Sequence, residues 1–158
     1  MASTTLLLAA GLLEREGEIL LVASQYPNHP EPLWHLPGGR PRPGELLRDA
    51  LVREFAEETS LAITVDRLLY VAESFDRAGG VHVVSTTFAV AVQGEGRPHV
   101  PAHDAHVVAV AWVPRERIAE RIGTFVIREP LAAYLRGDAH RYYGFTDAGI
   151  TIDFADDP

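Results

Sequence analysis

Residues 53–60 read Arg-Glu-Phe-Ala-Glu-Glu-Thr-Ser, which sets Glu54, Glu57 and Glu58 side by side. At about 100° per residue on a helix, Glu57 and Glu58 fall on either side of Glu54, within a little over a quarter of the circumference. Like charges three and four positions apart destabilise a helix by about 0.2–0.5 kcal/mol per pair. The chain contains no lysine to offset them, although Arg53, four residues before Glu57, can pair with it and hold it in place. Hard divalent cations take oxygen ligands, usually a few carboxylates, and keep water or substrate phosphates in the remaining positions. Three clustered carboxylates on a rigid helix meet that need. A bound dication would offset their repulsion, neutralise phosphate oxygens and lower the pKa of a bound water. Upstream, Gly38 and Gly39 can bring the backbone close to a ligand or free a carbonyl for a metal. The alternative for the glutamates is a solvated helix face.

The elements that must position these groups can be read from apolar periodicity. Leu47, Leu51 and Phe55 recur every four residues with Ala50 beside them, predicting a helix from residue 45 to about 59 with one apolar face. Apolar runs at 4–13 and 19–24 flank the sequence EREGE and read as a hairpin with Gly17 in the turn. The proline- and glycine-rich stretch QYPNHPEPLWHLPGGRPRPG is loop chemistry, where function tends to concentrate. Strand-like runs follow at 62–65, 68–74 and 81–93, with DRAGG as a turn, and at 107–114, closed by Pro114. A short helix is expected at 115–122. A second is expected over REPLAAYLRG, with Pro130 near its start and Gly137 just past its end. A last strand is expected around 150–154. The order predicts a mixed α/β domain with helices packed on a sheet.

At 158 residues the chain suits one compact domain, with a core over about 4–137 and a C-terminal extension over about 138–158. Its formal charge of −8, with all 14 basic residues arginine, argues against clamping a nucleic-acid polymer by bulk electrostatics. It leaves room for a small anionic ligand. With no cysteine, disulfides and cysteine-based zinc sites are excluded, and a reducing, cytoplasmic setting is expected. The N-terminal run has no basic residue ahead of it and is followed at once by EREGE. It therefore reads as a buried strand rather than a signal peptide, and it is too short to span a bilayer. No membrane partner is expected.

Gly39, five residues, Glu45, seven residues, then Arg53-Glu54-Phe55-x-Glu57-Glu58-x-Ser60-Leu61 closely resembles the Nudix box, with Ser60 where that family usually has glycine. Apolar strands before WHLPGG and the downstream VAWVP extend the resemblance, more loosely, over about residues 4–122. The resemblance implies an α/β/α sandwich with a mixed sheet. It also implies Mg²⁺- or Mn²⁺-dependent hydrolysis of a nucleoside diphosphate linked to another group. Carried over residue by residue, Glu54, Glu57 and Glu58 would be metal ligands, one of Glu54 and Glu58 also serving as base. The Gly38 carbonyl would be an additional ligand, and Glu45 and Arg53 would hold loop and helix together. Many relatives carry a Glu six residues before the tryptophan of the WVP-like strand. Here that position is His106, near Asp104 and His103, and it has two readings: a metal or proton ligand, or a polar loop residue.

Outside the box, Arg40 and Arg42 have a phosphate-contact reading and an exposed-loop reading. Trp34 either stacks on a base or seals the core, and Trp112 reads as core. His82 lies in an alternating strand that can face a bound nucleotide. Tyr142 and Tyr143 can close over a substrate or form a dimer contact, and the oligomeric state stays open between monomer and homodimer. The leading expectation is a housecleaning-type pyrophosphohydrolase acting on a (d)NTP or related nucleotide. Dinucleoside polyphosphates and nucleotide sugars or ADP-ribose are the alternatives. No proline lies about fifteen residues past the box and no coenzyme A signature precedes it, which weighs against those two subgroups. A nucleotide-sensing module without turnover is the reading from another class, and the full set of box glutamates counts against it.

Overall fold

Both faces of the strand Glu18–Ser24 are covered, which is why its sequence is apolar at almost every position rather than alternating. Ile19 and Leu21 enter one core cluster and Leu20 the other. The computed structural model describes residues 3–102 and 106–148. Its elements are β1 (Thr4–Leu12), β2 (Glu14–Arg15), β3 (Glu18–Ser24), β4 (Leu33–His35), β5 (Gly38–Gly39), α1 (Leu47–Thr59), β6 (Ile63–Asp76) and β7 (Val81–Val92). These are followed by β8 (Val107–Pro114), a 3₁₀ turn at Arg115–Arg117, α2 (Ile118–Arg121), α3 (Phe125–Leu135) and β9 (Tyr142–Thr146).

One sheet has the order β5-β1-β7-β6-β9, and a second joins β2, β3 and β4 with β8 on the other side of β3. The larger sheet is mixed, since β1 runs parallel to β7, β7 antiparallel to β6, and β6 parallel to β9. Leu51 and Phe55 of α1 pack with Ala9, Leu20, Phe88 and Val90 in one core. Ile118, Ile122 and Leu131 from the α2–α3 region pack with Leu12, Ile19, Leu69 and Tyr70 in the other. This is the α/β/α layering with a mixed sheet that the sequence leads one to expect.

Runs 4–13 and 19–24 do not pair as the sequence suggests: β1 joins the larger sheet and β3 the smaller. The hairpin is only the short β2–β3 pair, which turns at Glu16 and Gly17, both at positive φ. Helix α1 begins at Leu47, two residues later than its periodicity suggests, because Leu46 is extended. Segments 62–65 and 68–74 form a single strand whose register shifts twice, so Asp66-Arg67 marks a bulge rather than a break. Pro130 lies well inside α3 rather than near its start, because the helix begins at Phe125, with Thr124 O accepting from the Ile127 and Arg128 amides. The strand β9 was not anticipated, and the one expected at 150–154 lies outside the described residues.

Candidate active site

Two glycines let α1 approach the sheet edge. Gly38 sits at φ +155°, and a Cβ there would lie 2.0 Å from Ala9 O. A Cβ on Gly39 would lie 2.5 Å from the Glu54 carboxyl carbon. Strand β5 therefore threads between β1 and the glutamate face of α1 only because both positions lack a side chain. Glu58 Oε1 accepts the Gly38 amide hydrogen at 2.7 Å. Glu54 and Glu58, one turn apart, thus both meet the two-glycine strand. Glu58 is only 6% exposed, an unusual place for a carboxylate.

Arg53 ties this face to the preceding loop. Its Nε and Nη2 donate to the two oxygens of Glu45, each at 2.9 Å, a bidentate fork. Nη1 donates to Glu54 at 2.9 Å and to Glu57 at 3.2 Å, and Nη2 to Arg40 O at 3.1 Å. The Arg53 hydrogen bonds, with a further one from the Arg42 amide, pull the Glu45 pKa down to about 2. The same fork raises that of Arg53 still further above its ordinary value. Glu57 sits on the outer flank of the helix, with Arg42 Nη2 at 3.5 Å.

Tyr26, in the loop after β3, stands beside Glu58. Burial, then the Glu58 charge, raise its phenol pKa to about 12, against a hydrogen bond with Ser24. Ser24 in turn meets His35 Nε2 at 2.8 Å, and His35 Nδ1 donates to Leu36 O at 2.7 Å. Desolvation keeps the His35 pKa below its usual value, so the neutral ring donates from Nδ1 and accepts the Ser24 hydroxyl at Nε2.

From the two-glycine strand a cavity of about 190 Å³ runs over the sheet. Its floor is one face of four strands: Leu8 and Ala10 of β1, Val83, Ser85 and Thr87 of β7, Tyr70, Ala72 and Ser74 of β6, and Phe145 of β9. Val126 and Ile127 of α3 contribute to its wall, and Tyr26 lines it near Glu58. Phe145 is braced edge-on by Phe125, with centroids 5.5 Å apart.

The structure brings Gly38, Glu45, Arg53, Glu54, Glu57 and Glu58 into one constellation. Arg40 joins it through its carbonyl. The other expected residues lie elsewhere. Trp34 packs against the α2–α3 core with Arg121 over its ring at 4.9 Å. His82 donates to Glu73, and its register partner Phe75 and neighbours Val81 and Val83 place it on the sheet face opposite Val83 and Ser85. His106 is exposed before β8, its carbonyl accepting from the Gln25 amide at 2.9 Å, while His103 and Asp104 lie outside the described residues. Sequence reasoning missed Tyr26, Ser24 and His35 and the hydroxyls of the cavity floor. The alternation of Val83, Ser85 and Thr87 was the available signal for the latter.

The donor set around Glu54 and Glu58 is all oxygen, which suits Mg²⁺ or Mn²⁺ rather than a softer metal. Among the described residues no three acidic or histidine side chains close on a common point. Mg²⁺ does not require such a cage, since it is typically held by one or two carboxylates plus water and substrate phosphates. The residues fit.

The NUDIX domain family matches residues 6–134, and the chain belongs to that family. An ADP-ribose pyrophosphatase of Methanocaldococcus jannaschii is 40% identical over 85 residues, 53% of this chain and 49% of that protein. A CTP pyrophosphohydrolase of Escherichia coli is 41% identical over 63 residues, 40% of this chain and 45% of that protein. The matched region thus spans about half the length of these curated relatives. Among solved structures, a MutT NUDIX hydrolase from Burkholderia pseudomallei superposes with a TM-score of 0.60 at 28% identity, covering 72% of this chain and 86% of that one. The MutT protein from Methanosarcina mazei Go1 reaches a TM-score of 0.72 at 18% identity, covering 87% and 97%, and so supports the fold alone.

Proposed function

We propose that the protein is a divalent-metal-dependent pyrophosphohydrolase of a small nucleotide, a (d)NTP or close relative, with Mg²⁺ or Mn²⁺ as its metal. One observation carries the reading: the Glu54–Glu58 pair, held against Gly38 and Gly39, stands at the end of an apolar cavity sized for part of a nucleotide. A base in that cavity leaves the phosphates at the carboxylates. Cavities that enclose a whole drug-sized ligand run to about 300–1,000 Å³, so about 190 Å³ fits the base and leaves the charged end outside.

Glu54 and Glu58, with the Gly38 carbonyl, are the groups that would hold the metal; Glu57, on the outer flank of α1 and bonded to Arg53, is a further candidate to be tested by substitution. When bound, it supplies charge to the phosphate oxygens and acidifies a water. Either Glu54 or Glu58 takes the proton of the attacking water. The water oxygen bonds to phosphorus, the bridging P–O bond breaks, and its electron pair leaves with the departing phosphate or pyrophosphate. Arg53 does not touch the reacting atoms. Its fork to Glu45 and its bond to Glu54 fix the helix against the loop before water attacks. His106 remains a further ligand or proton acceptor to be tested by substitution, as does Arg40 for phosphate contact. Trp34, packed against the core, and His82, on the sheet face away from the cavity, are set aside as substrate contacts. A cytoplasmic setting fits a cysteine-free chain. Among the described residues no helix is long and apolar enough to cross a membrane.

The test is a panel of (d)NTPs, dinucleoside polyphosphates, ADP-ribose and nucleotide sugars with Mg²⁺ or Mn²⁺, resolved by chromatography. Metal-dependent cleavage of a nucleotide is the expected result. No cleavage alongside tight nucleotide binding would leave the sensing reading in its place.

A further inference from the structure

The cavity that would receive the base reads it with very little. Its lining includes two carboxylates, and both are already engaged. Glu73 accepts from His82 and from the Tyr142 hydroxyl. Asp76 Oδ2 accepts the Gly79 amide at 2.7 Å and so closes its own turn. The Tyr70 and Thr87 hydroxyls bond to each other and are 4% and 3% exposed. Among the described residues the lining contains no asparagine, glutamine or arginine side chain. The Tyr26 hydroxyl is bonded to Ser24, and His35 uses both ring nitrogens on Ser24 and Leu36 O. Two hydroxyls therefore remain, Ser74 and Ser85, neither with a hydrogen-bond partner among the described residues.

Their placement follows from strand register. Ser85 stands opposite Ala72, and Ser74 opposite Val83, so the two serines are diagonal neighbours on the cavity face of β6 and β7. Diagonal Cβ atoms on an antiparallel pair lie about 7–8 Å apart or slightly less, which lets both hydroxyls reach the edge of one flat ring. Ala72, opposite Ser85, leaves room between them. Phe145 and Ile127 provide apolar contact for the ring.

We infer that Ser74 and Ser85 are the base-reading residues of the site and that they make it tolerant of base identity. The inference rests on the nucleotide reading above. A hydroxyl rotates to donate or accept, so it meets a keto or an amino edge equally well. Strong rejection of a wrong ligand comes from leaving a fixed buried donor or acceptor unpaired, and among the described residues the cavity has no such reader left unengaged. The wall selects a planar ring and the serines anchor its edge without choosing among the bases.

The experiment is calorimetric binding, in Mg²⁺, of AMP, GMP, CMP and UMP, with ribose 5-phosphate as the ligand without a base. The expected result is that all four nucleotides bind more tightly than ribose 5-phosphate and within about tenfold of one another. Ser74→Ala and Ser85→Ala should each weaken the nucleotides about threefold to tenfold relative to ribose 5-phosphate, the ratio cancelling any loss of folded protein. Preference for one base by about a hundredfold or more, or ratios unmoved by both substitutions, overturns the inference. So does equal binding of ribose 5-phosphate. Turnover is scored separately: binding with this pattern but no cleavage sinks the hydrolase reading and leaves the base readers standing. Cleavage with no base-dependent binding sinks this inference alone.

Discussion

Glu58 Oε1 accepts the Gly38 amide hydrogen at 2.7 Å, twenty residues earlier in the chain. That contact couples the carboxylate face of α1 to the strand whose carbonyl is the neighbouring candidate ligand. It also makes the fold and the site separable by substitution. Glu58→Gln keeps an oxygen for the Gly38 amide, so the protein should fold, while turnover falls by roughly 10²–10⁴-fold for loss of the carboxylate. Gly38→Ala should do the reverse of a clean active-site change. Its methyl would sit 2.0 Å from Ala9 O, and a cost of about 3 kcal/mol is expected. Denaturant unfolding of both variants beside kcat checks the contrast. A Glu58→Gln protein with normal turnover would remove Glu58 from the site.

Glu45 gives the loop a pH dependence whose sign is fixed. Its folded pKa, about 2, lies below its ordinary 4.5, because Arg53 and the Arg42 amide hydrogen-bond the carboxylate. A depressed acid contributes stability that is present in full above the unfolded value, and that contribution is lost as pH falls through the folded one. The difference in melting temperature between the protein and Glu45→Gln should therefore be constant above pH of about 4.5 and shrink between there and about 2. A difference that persisted unchanged at the acid end would mean that the Arg53 fork does not hold Glu45 ionised.

How much of this was legible before the structure depends on the range of the interaction. The acidic cluster, Arg53 and the two glycines lie within 21 consecutive residues, 38–58, and one helix with one loop brings them together. Spacing alone could find them. It could not show that Glu58 is buried while Glu57 is exposed, because that depends on where β5 crosses the helix. The cavity was harder still. Ser74, Ser85, Leu8 and Phe145 come from four strands, and only parallel and antiparallel register puts them on one face. His82 illustrates the point, since a shift of one residue in an alternating strand moves a side chain to the opposite face. Pro130 misled for a local reason: as a frequent first-turn residue it suggested a start one turn too late.

Ser60 occupies the left-handed position that ends α1, at φ 63°, where relatives usually carry glycine. The conformation costs a non-glycine residue about 1–2 kcal/mol. Local bonds hold it: the Ser60 amide donates to Ala56 O at 3.1 Å, and its hydroxyl to His99 O at 3.3 Å. Ser60→Gly removes the strain but loses the long hydroxyl bond and adds about 0.5–1 kcal/mol of unfolded-chain entropy. The net expectation is a gain of up to about 1 kcal/mol, a rise of roughly 2–4 °C in Tm, with kcat preserved. A fall in Tm would show that the His99 contact outweighs the strain.

The metal itself can be tested without substrate. A ligand that binds only the folded state stabilises it by RT ln(1 + [L]/Kd), about 2.7 kcal/mol at a hundredfold excess over Kd. If Glu54 and Glu58 hold the cation, Tm should climb steadily with Mg²⁺ or Mn²⁺ concentration and fall back on adding a chelator. Charge screening alone would also raise Tm, because the chain carries a net charge of −8. The decisive comparison is therefore with Glu54→Gln and Glu58→Gln, and with sodium chloride at matched ionic strength. Screening acts on all three proteins alike, whereas site binding is lost in the variants. A Mg²⁺ response of equal size in the protein and both variants would place the cation elsewhere and leave the two carboxylates without the role their burial suggests.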